Sequence, residues 1–131
     1  VIVADTNLLA YLLIPGRFTA AAERWLQTDP QWAAPRLWRS ELRNVMATMV
    51  RTGRLELRLA CALFEQAEAL IDAEEYEVET PDVLRLSQQS GCSAYDCEYL
   101  VLAEVLGTRL VTADRKLLNT FPQRTLGLDP G

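Results

Sequence analysis

Apolar residues occupy positions 1–4 without a break and end on Asp5; a second apolar stretch starts at Leu8. The first run suits a central parallel strand covered on both faces. The second reads as a short helix over 8–14, with Thr6 or Asn7 as its N-cap and Pro15-Gly16 as its stop. The pattern then predicts helix over 19–27, a turn at Asp29-Pro30 and a short strand over 31–34. Residues 37–51 place Trp38, Leu42, Val45, Met46 and Met49 at spacings of three and four, an amphipathic helix closed by Thr52-Gly53. A second long helix follows over 57–73, then a strand over 76–79. Pro81-Asp82 opens a helix to Ser90, stopped by Gly91. Ser93 caps another to about Leu106, with Gly107 just past its end. A strand over 109–112, a short helix over 115–119 and an edge strand over 123–126 complete the chain.

Strands alternate with helices, and most connections need a crossover. The pattern predicts an α/β fold with a mostly parallel central sheet flanked by helices. No repeat, low-complexity segment or long linker divides the chain, so a single domain over 1–131 is expected. In such folds a site forms at the carboxyl ends of the strands.

Composition narrows the chemistry. The 131 residues are 50% hydrophobic and 24% charged, as expected of a soluble globular chain with a real core. No apolar run approaches the roughly 18 residues of a membrane span. The chain starts directly on a strand-like run with no basic leader or signal pattern. Cys61, Cys92 and Cys97 fit no disulfide framework and point to a reducing cytoplasm, with buried or idle thiols. There is no histidine, which removes imidazole bases, His-based triads and most zinc sites. The net charge of −5 argues against a generic nucleic-acid coat. It is uneven, however: Arg36, Arg39, Arg43, Arg51, Arg54 and Arg58 face only Glu41 and Glu56 within their segment, whereas the stretch from Glu65 to Glu104 is strongly acidic.

Four acids carry the candidate chemistry. Asp5 follows the first strand and Asp114 follows the strand over 109–112, so both come out at one edge of the sheet. Each is also a natural helix cap. Glu41 lies on the shoulder of an apolar helix face, where an unpaired carboxylate is costly; Arg39 and Arg43, two residues away, point elsewhere on the helix. Asp96 is the third residue after the Ser93 cap and fits a capping box. The helix behind it is apolar all round from Tyr99 to Ala103, which places its amino end at the same rim. Carboxylates that converge repel one another unless a cation or a proton offsets the charge. Hard oxygen donors without His or Cys suit Mg²⁺ or Mn²⁺, ions that activate water and stabilise charge on phosphoryl oxygens.

At these residues the chain resembles the PIN-domain family, and within it the VapC-type toxins of toxin–antitoxin pairs. "VADTNLLAYLL" is similar to the family's opening strand with its Asp, "SELRNVM" to the helix with its Glu, and "SAYDCEYLVLAEVLGTRLVTADRKL" to the stretch with its third and fourth acids. The resemblance covers nearly the whole chain. It implies a PIN-like three-layer fold and a metal-dependent endoribonuclease, with Asp5, Glu41, Asp96 and Asp114 as the catalytic set for Mg²⁺ or Mn²⁺. Thr6, Asn7 and Thr112 would be auxiliary polar residues. The resemblance also implies an RNA substrate, a small antitoxin partner and a homodimer, with Arg36, Arg39 and Arg43 available to RNA or antitoxin. Glu98 is a further acid nearby, but two residues from Asp96 it points away on a helix.

Two other classes compete. A receiver-like phosphoacceptor needs an Asp ending a mid-chain strand and a late Lys, yet residues 45–60 read as helix and the one lysine is Lys116. A catalytically silent RNA- or protein-binding module is the other alternative; none of the four acids is replaced. The helices over 37–51 and 57–73 either pack on each other or supply a dimer face.

Overall fold

The computed structural model describes residues 1–129, so the last two positions of the expected 1–131 domain lie outside the described residues. The chain runs β1 (Ile2–Ala4), α1 (Thr6–Leu13), α2 (Thr19–Thr28), β2 (Trp32–Pro35), α3 (Trp38–Arg51) and α4 (Leu57–Ile71). A 3-10 turn over Asp72–Glu74 leads to β3 (Glu75–Tyr76), α5 (Thr80–Ser90), α6 (Ala94–Val105), β4 (Leu110–Val111), α7 (Arg115–Thr120) and β5 (Thr125–Leu126). The five strands form one sheet in the order β3-β2-β1-β4-β5, and every pairing is parallel. The expected α/β sandwich is thus observed, with a sheet that is parallel throughout rather than mostly so.

Strand alternation splits the interior into two cores. Ile2, Ala4, Trp32, Ala34 and Val111 face a layer with α1–α4, where Trp38, Leu42 and Ile71 are fully covered. Val3, Ala33 and Leu110 face the opposite layer, with α5 to α7. The two-sided burial explains why the central strands read as continuous apolar runs. Helix α6 packs on β1, β2 and α5, and Cys97 and residues 99–103 are all buried. Its preceding turn is built on Gly91, whose φ of 73° lies in the left-handed region open to glycine.

Several boundaries differ from the sequence expectation for identifiable reasons. Helix α1 starts at Thr6 because Asp5, not Thr6 or Asn7, is the N-cap; its carboxylate accepts the Asn7 N–H at 3.4 Å. Strand β3 is Glu75–Tyr76 instead of 76–79. Its ladder with β2 ends at Pro35, and Glu75 is pinned there by Trp38 Nε1 at 2.8 Å and Arg39 Nε at 2.7 Å. Helix α4 stops at Ile71, where the expected last turn tightens into the 3-10 segment. Strand β5 begins at Thr125, two residues late, because the backbone from Phe121 turns back through an Arg124 N–H···O bond of 3.0 Å.

Leu100, fully buried on α6, tests whether the second core sets stability. Leu100→Ala is expected to cost about 2–5 kcal/mol, read as a lower urea midpoint at an unchanged slope.

Candidate active site

The register of the two central strands builds the site. Val3 pairs with Leu110 and Ala4 with Val111, so the residues that follow, Asp5 and Thr112, emerge abreast. The Asp5 N–H donates to the Val111 carbonyl at 3.2 Å. Thr112, fully buried, donates its hydroxyl to Asp5 Oδ2 at 2.6 Å and accepts the Asp114 N–H at 3.0 Å. One threonine therefore ties the two strand-end acids into a single turn. Asp114 Oδ1 accepts the N–H groups of Lys116 and Leu117 at 2.8 and 3.2 Å, capping α7. The capping roles read from the sequence for Asp5 and Asp114 are real and coexist with their position at the rim.

Two helices supply the remaining acids. Glu41 sits in the first turn of α3, just beyond the end of β2. Asp96 sits in the first turn of α6, where its N–H donates to Ser93 Oγ at 3.1 Å. Asp5, Glu41, Asp96 and Asp114 together line a cleft of about 530 Å³, with Thr6, Asn7, Ser40, Asn44 and Tyr95.

The electrostatics record the convergence. Burial pushes the Asp5 carboxyl above its ordinary value; hydrogen bonds from Thr112 and the Asn7 backbone pull it down, and Glu41 and Asp96 push it up again. Asp96 is likewise raised, by burial and by Asp114, against the pull of the Ser93 hydroxyl and Lys116. Glu98 is raised by burial and by Glu41, so it feels the cluster although it does not line the cleft.

Tyr99 is the residue that sequence reasoning missed. Its phenol donates to Glu41 Oε1 at 2.6 Å, and Thr6 donates to the same oxygen at 3.1 Å. Thr6 and Tyr99 also meet each other, and both are about 95% buried, at 5% and 4% exposure. Burial and the Glu41 acceptor hold the phenol far above its ordinary range, so it stays protonated and donates. A signal was present in the sequence: a tyrosine three residues after Asp96, on the same helix face, inside a helix that reads as buried. A buried phenol needs a partner.

The arginines lie elsewhere. Arg39 is bound to Glu68 and Glu75, both at 2.7 Å. Arg36 makes an exposed 3.7 Å contact with Glu77, and Arg43 stacks 5.2 Å from the Phe64 ring centroid, beside the groove between α3 and α4. None of the three lines the acid cleft. The cysteines are free, with Cys61 exposed and Cys92 and Cys97 buried.

The donor set has the chemistry of a hard divalent-cation site. Every acid is an oxygen donor, and the neighbouring acids help to raise the carboxyls of Asp5 and Asp96, which a cation would relieve. Among the described residues no three acid, His or Cys side chains form a ready cage for one ion. Mg²⁺ needs none, since it is commonly held by one or two carboxylates and keeps several waters. The donors fit an ion of that kind.

An all-parallel α/β sheet with four acids around a cleft at its carboxyl edge defines the class of protein. Residues 2–120 match the PIN domain, and the chain belongs to that family. It is similar to Ribonuclease VapC3 of Pyrobaculum aerophilum, 28% identical over 124 residues that cover 92% of this chain and 95% of that protein. A crystal structure of PAE2754 from Pyrobaculum aerophilum matches with a TM-score of 0.77 at 24% identity, covering 97% of this chain and 90% of that one. A toxin–antitoxin complex from Klebsiella pneumoniae matches at 0.67 and 20% identity over 98% of each chain. Among the described residues no helix is long and apolar enough to cross a membrane.

A raised carboxyl resists ionisation more in the folded chain than in the unfolded one. Stability therefore falls as pH rises from the ordinary carboxylate value through the raised one. Asp5→Asn keeps a capping side chain and removes the charge. In EDTA it is expected to raise the melting temperature at pH 7, with the gain shrinking as the buffer approaches pH 4. An equal melting temperature for variant and wild type at pH 7 would contradict the electrostatic account.

Proposed function

We propose that the chain is a metal-dependent endoribonuclease, the toxin of a VapBC-type toxin–antitoxin pair. One observation carries the reading: Asp5 and Asp114, from two strand-to-helix turns, and Glu41 and Asp96, from two helices, line one cleft at the carboxyl edge of the sheet. Membership of the PIN domain family and similarity to a protein named as a ribonuclease support it.

In this reading the four acids hold Mg²⁺ or Mn²⁺, which when bound supplies an activated water and offsets charge on the phosphoryl oxygens. The chain's own contribution is placement. Thr112 and the α1 backbone fix both oxygens of Asp5. Thr6 and Tyr99 fix one oxygen of Glu41. The Ser93 cap orients the turn that carries Asp96. Asn7, Ser40 and Asn44 offer neutral polar groups at the cleft wall, suited to a sugar or phosphate. RNA is the substrate and hydrolysis leaves a 5′-phosphate and a 3′-hydroxyl. A small antitoxin covers the groove, the chain works in the cytoplasm, and two copies form a homodimer. Of the basic residues, Arg36 and Arg43 are exposed and remain contacts for RNA or antitoxin. Arg39 is committed to Glu68 and Glu75 and contributes to the framework instead.

The test incubates purified protein, freed of antitoxin, with structured RNAs and Mg²⁺ or Mn²⁺. Cleavage is expected, with loss in EDTA and a fall of about 10²-fold or more in Asp96→Asn, the scale seen when a group serving transition-state charge is removed. Metal alone is expected to raise the melting temperature of the wild type through linkage, and less in the variant. No cleavage together with no metal effect would sink the nuclease reading and leave a binding module.

A further inference from the structure

The acids of the cleft do not share one foundation. Asp5 and Asp114 are joined through Thr112 on neighbouring strands. Glu41 belongs to α3, which packs on α1 and α4, whereas Asp96 belongs to α6, which packs on α5 and the sheet. Nothing in the strand register fixes the distance between these two helices at the cleft. Among the described residues a single hydrogen bond crosses between them, from the Tyr99 hydroxyl on α6 to Glu41 Oε1 at 2.6 Å.

The surroundings of that bond are specific. Tyr99 lies three residues after Asp96, so the two share a face of α6. Its ring is buried and cannot swing to another acceptor without leaving the core. Thr6, from α1, meets the same oxygen of Glu41 and also the Tyr99 hydroxyl. Both hydroxyls thus meet Oε1, and Oε2 carries no hydrogen bond among the described residues. A carboxylate held by one oxygen presents the other in a fixed direction, and Glu41 lines the cleft.

We infer that Tyr99 is a positioning residue: its hydroxyl, with that of Thr6, holds Glu41 by Oε1 so that Oε2 is left to serve a divalent cation in the cleft. The inference rests on the nuclease reading. It assigns to α6 two tasks, one acid of its own and the strut that places the acid of another layer. Partners of this kind outside the ligand set commonly tune metal affinity or activity by about 10–100-fold.

A purely structural tyrosine would give a different result, because its loss would lower stability without acting through Glu41. The experiment is a Mn²⁺ titration by calorimetry on the full chain, comparing wild type, Tyr99→Phe, Glu41→Gln and the double variant, with circular dichroism as the fold control. Tyr99→Phe is expected to weaken Mn²⁺ binding about tenfold or more. In the Glu41→Gln background the same change is expected to have little further effect, since the two residues act as a unit. In RNA cleavage the loss is expected in kcat, with KM nearly unchanged. Equal Mn²⁺ affinity in wild type and Tyr99→Phe, or additive losses in the double variant, would overturn the inference and leave the nuclease reading intact. No Mn²⁺ binding by wild type would overturn the nuclease reading itself. If Tyr99→Phe does not fold, Thr6→Val removes the second hydroxyl from the same oxygen. A smaller loss of affinity is then expected, and an unchanged affinity would overturn the inference.

Discussion

Like charges held together by strand register are the constraint on which this structure turns. Three parallel strands side by side deliver their following residues to one edge, and two of those segments bring acids with them. The backbone leaves Asp5 and Thr112 nowhere else to go. Repulsion and lost hydration then have to be met locally, and the remedy is a set of short-range donors: a buried threonine hydroxyl, helix N-terminal N–H groups, a phenol. The carboxyls of Asp5 and Asp96 stay raised, by burial first and by neighbouring acids second, despite those donors. The fold therefore stores an electrostatic cost at the place where a cation would lower it, and chemistry and stability pull in opposite directions there.

The two-core arrangement follows from the same sheet. Because each central strand is covered on both faces, the helices divide into a layer with α1–α4 and a layer with α5 to α7. The cleft lies where the layers meet. Glu41 comes from one and Asp96 from the other, while Asp5 and Asp114 come from the turns between sheet and helices.

Much of this was legible in the sequence because the relevant signals are local. Continuous apolar runs announce two-sided strands, the α3 spacing announces its buried face, and Ser93, Gly91 and Gly107 punctuate the helices. The acids could be located because strand ends and helix starts are local properties as well. What was hidden depends on tertiary partners. That Asp5 could act as a cap was legible, but not that Thr112, 107 residues on, holds its other oxygen. Arg39 read as a contact available to RNA or antitoxin, and its bonds to Glu68 and Glu75, 29 and 36 residues away, were not legible. Tyr99 read as core packing, and only the approach of α3 shows that its polar tip has a task.

The hydrogen bond between Thr112 and Asp5 spans 107 residues of sequence, and that separation has a consequence for the order of assembly. On a ribosome β1 emerges before β4, and the β1 edge that faces β4 stays unpaired until β4 is made. Closing so long a loop is slow relative to forming the local helices. The cleft therefore cannot be complete while the chain is still being synthesised through α6. Asp5 gains its Thr112 partner, and the cleft its Asp114, only once β4 has paired with β1.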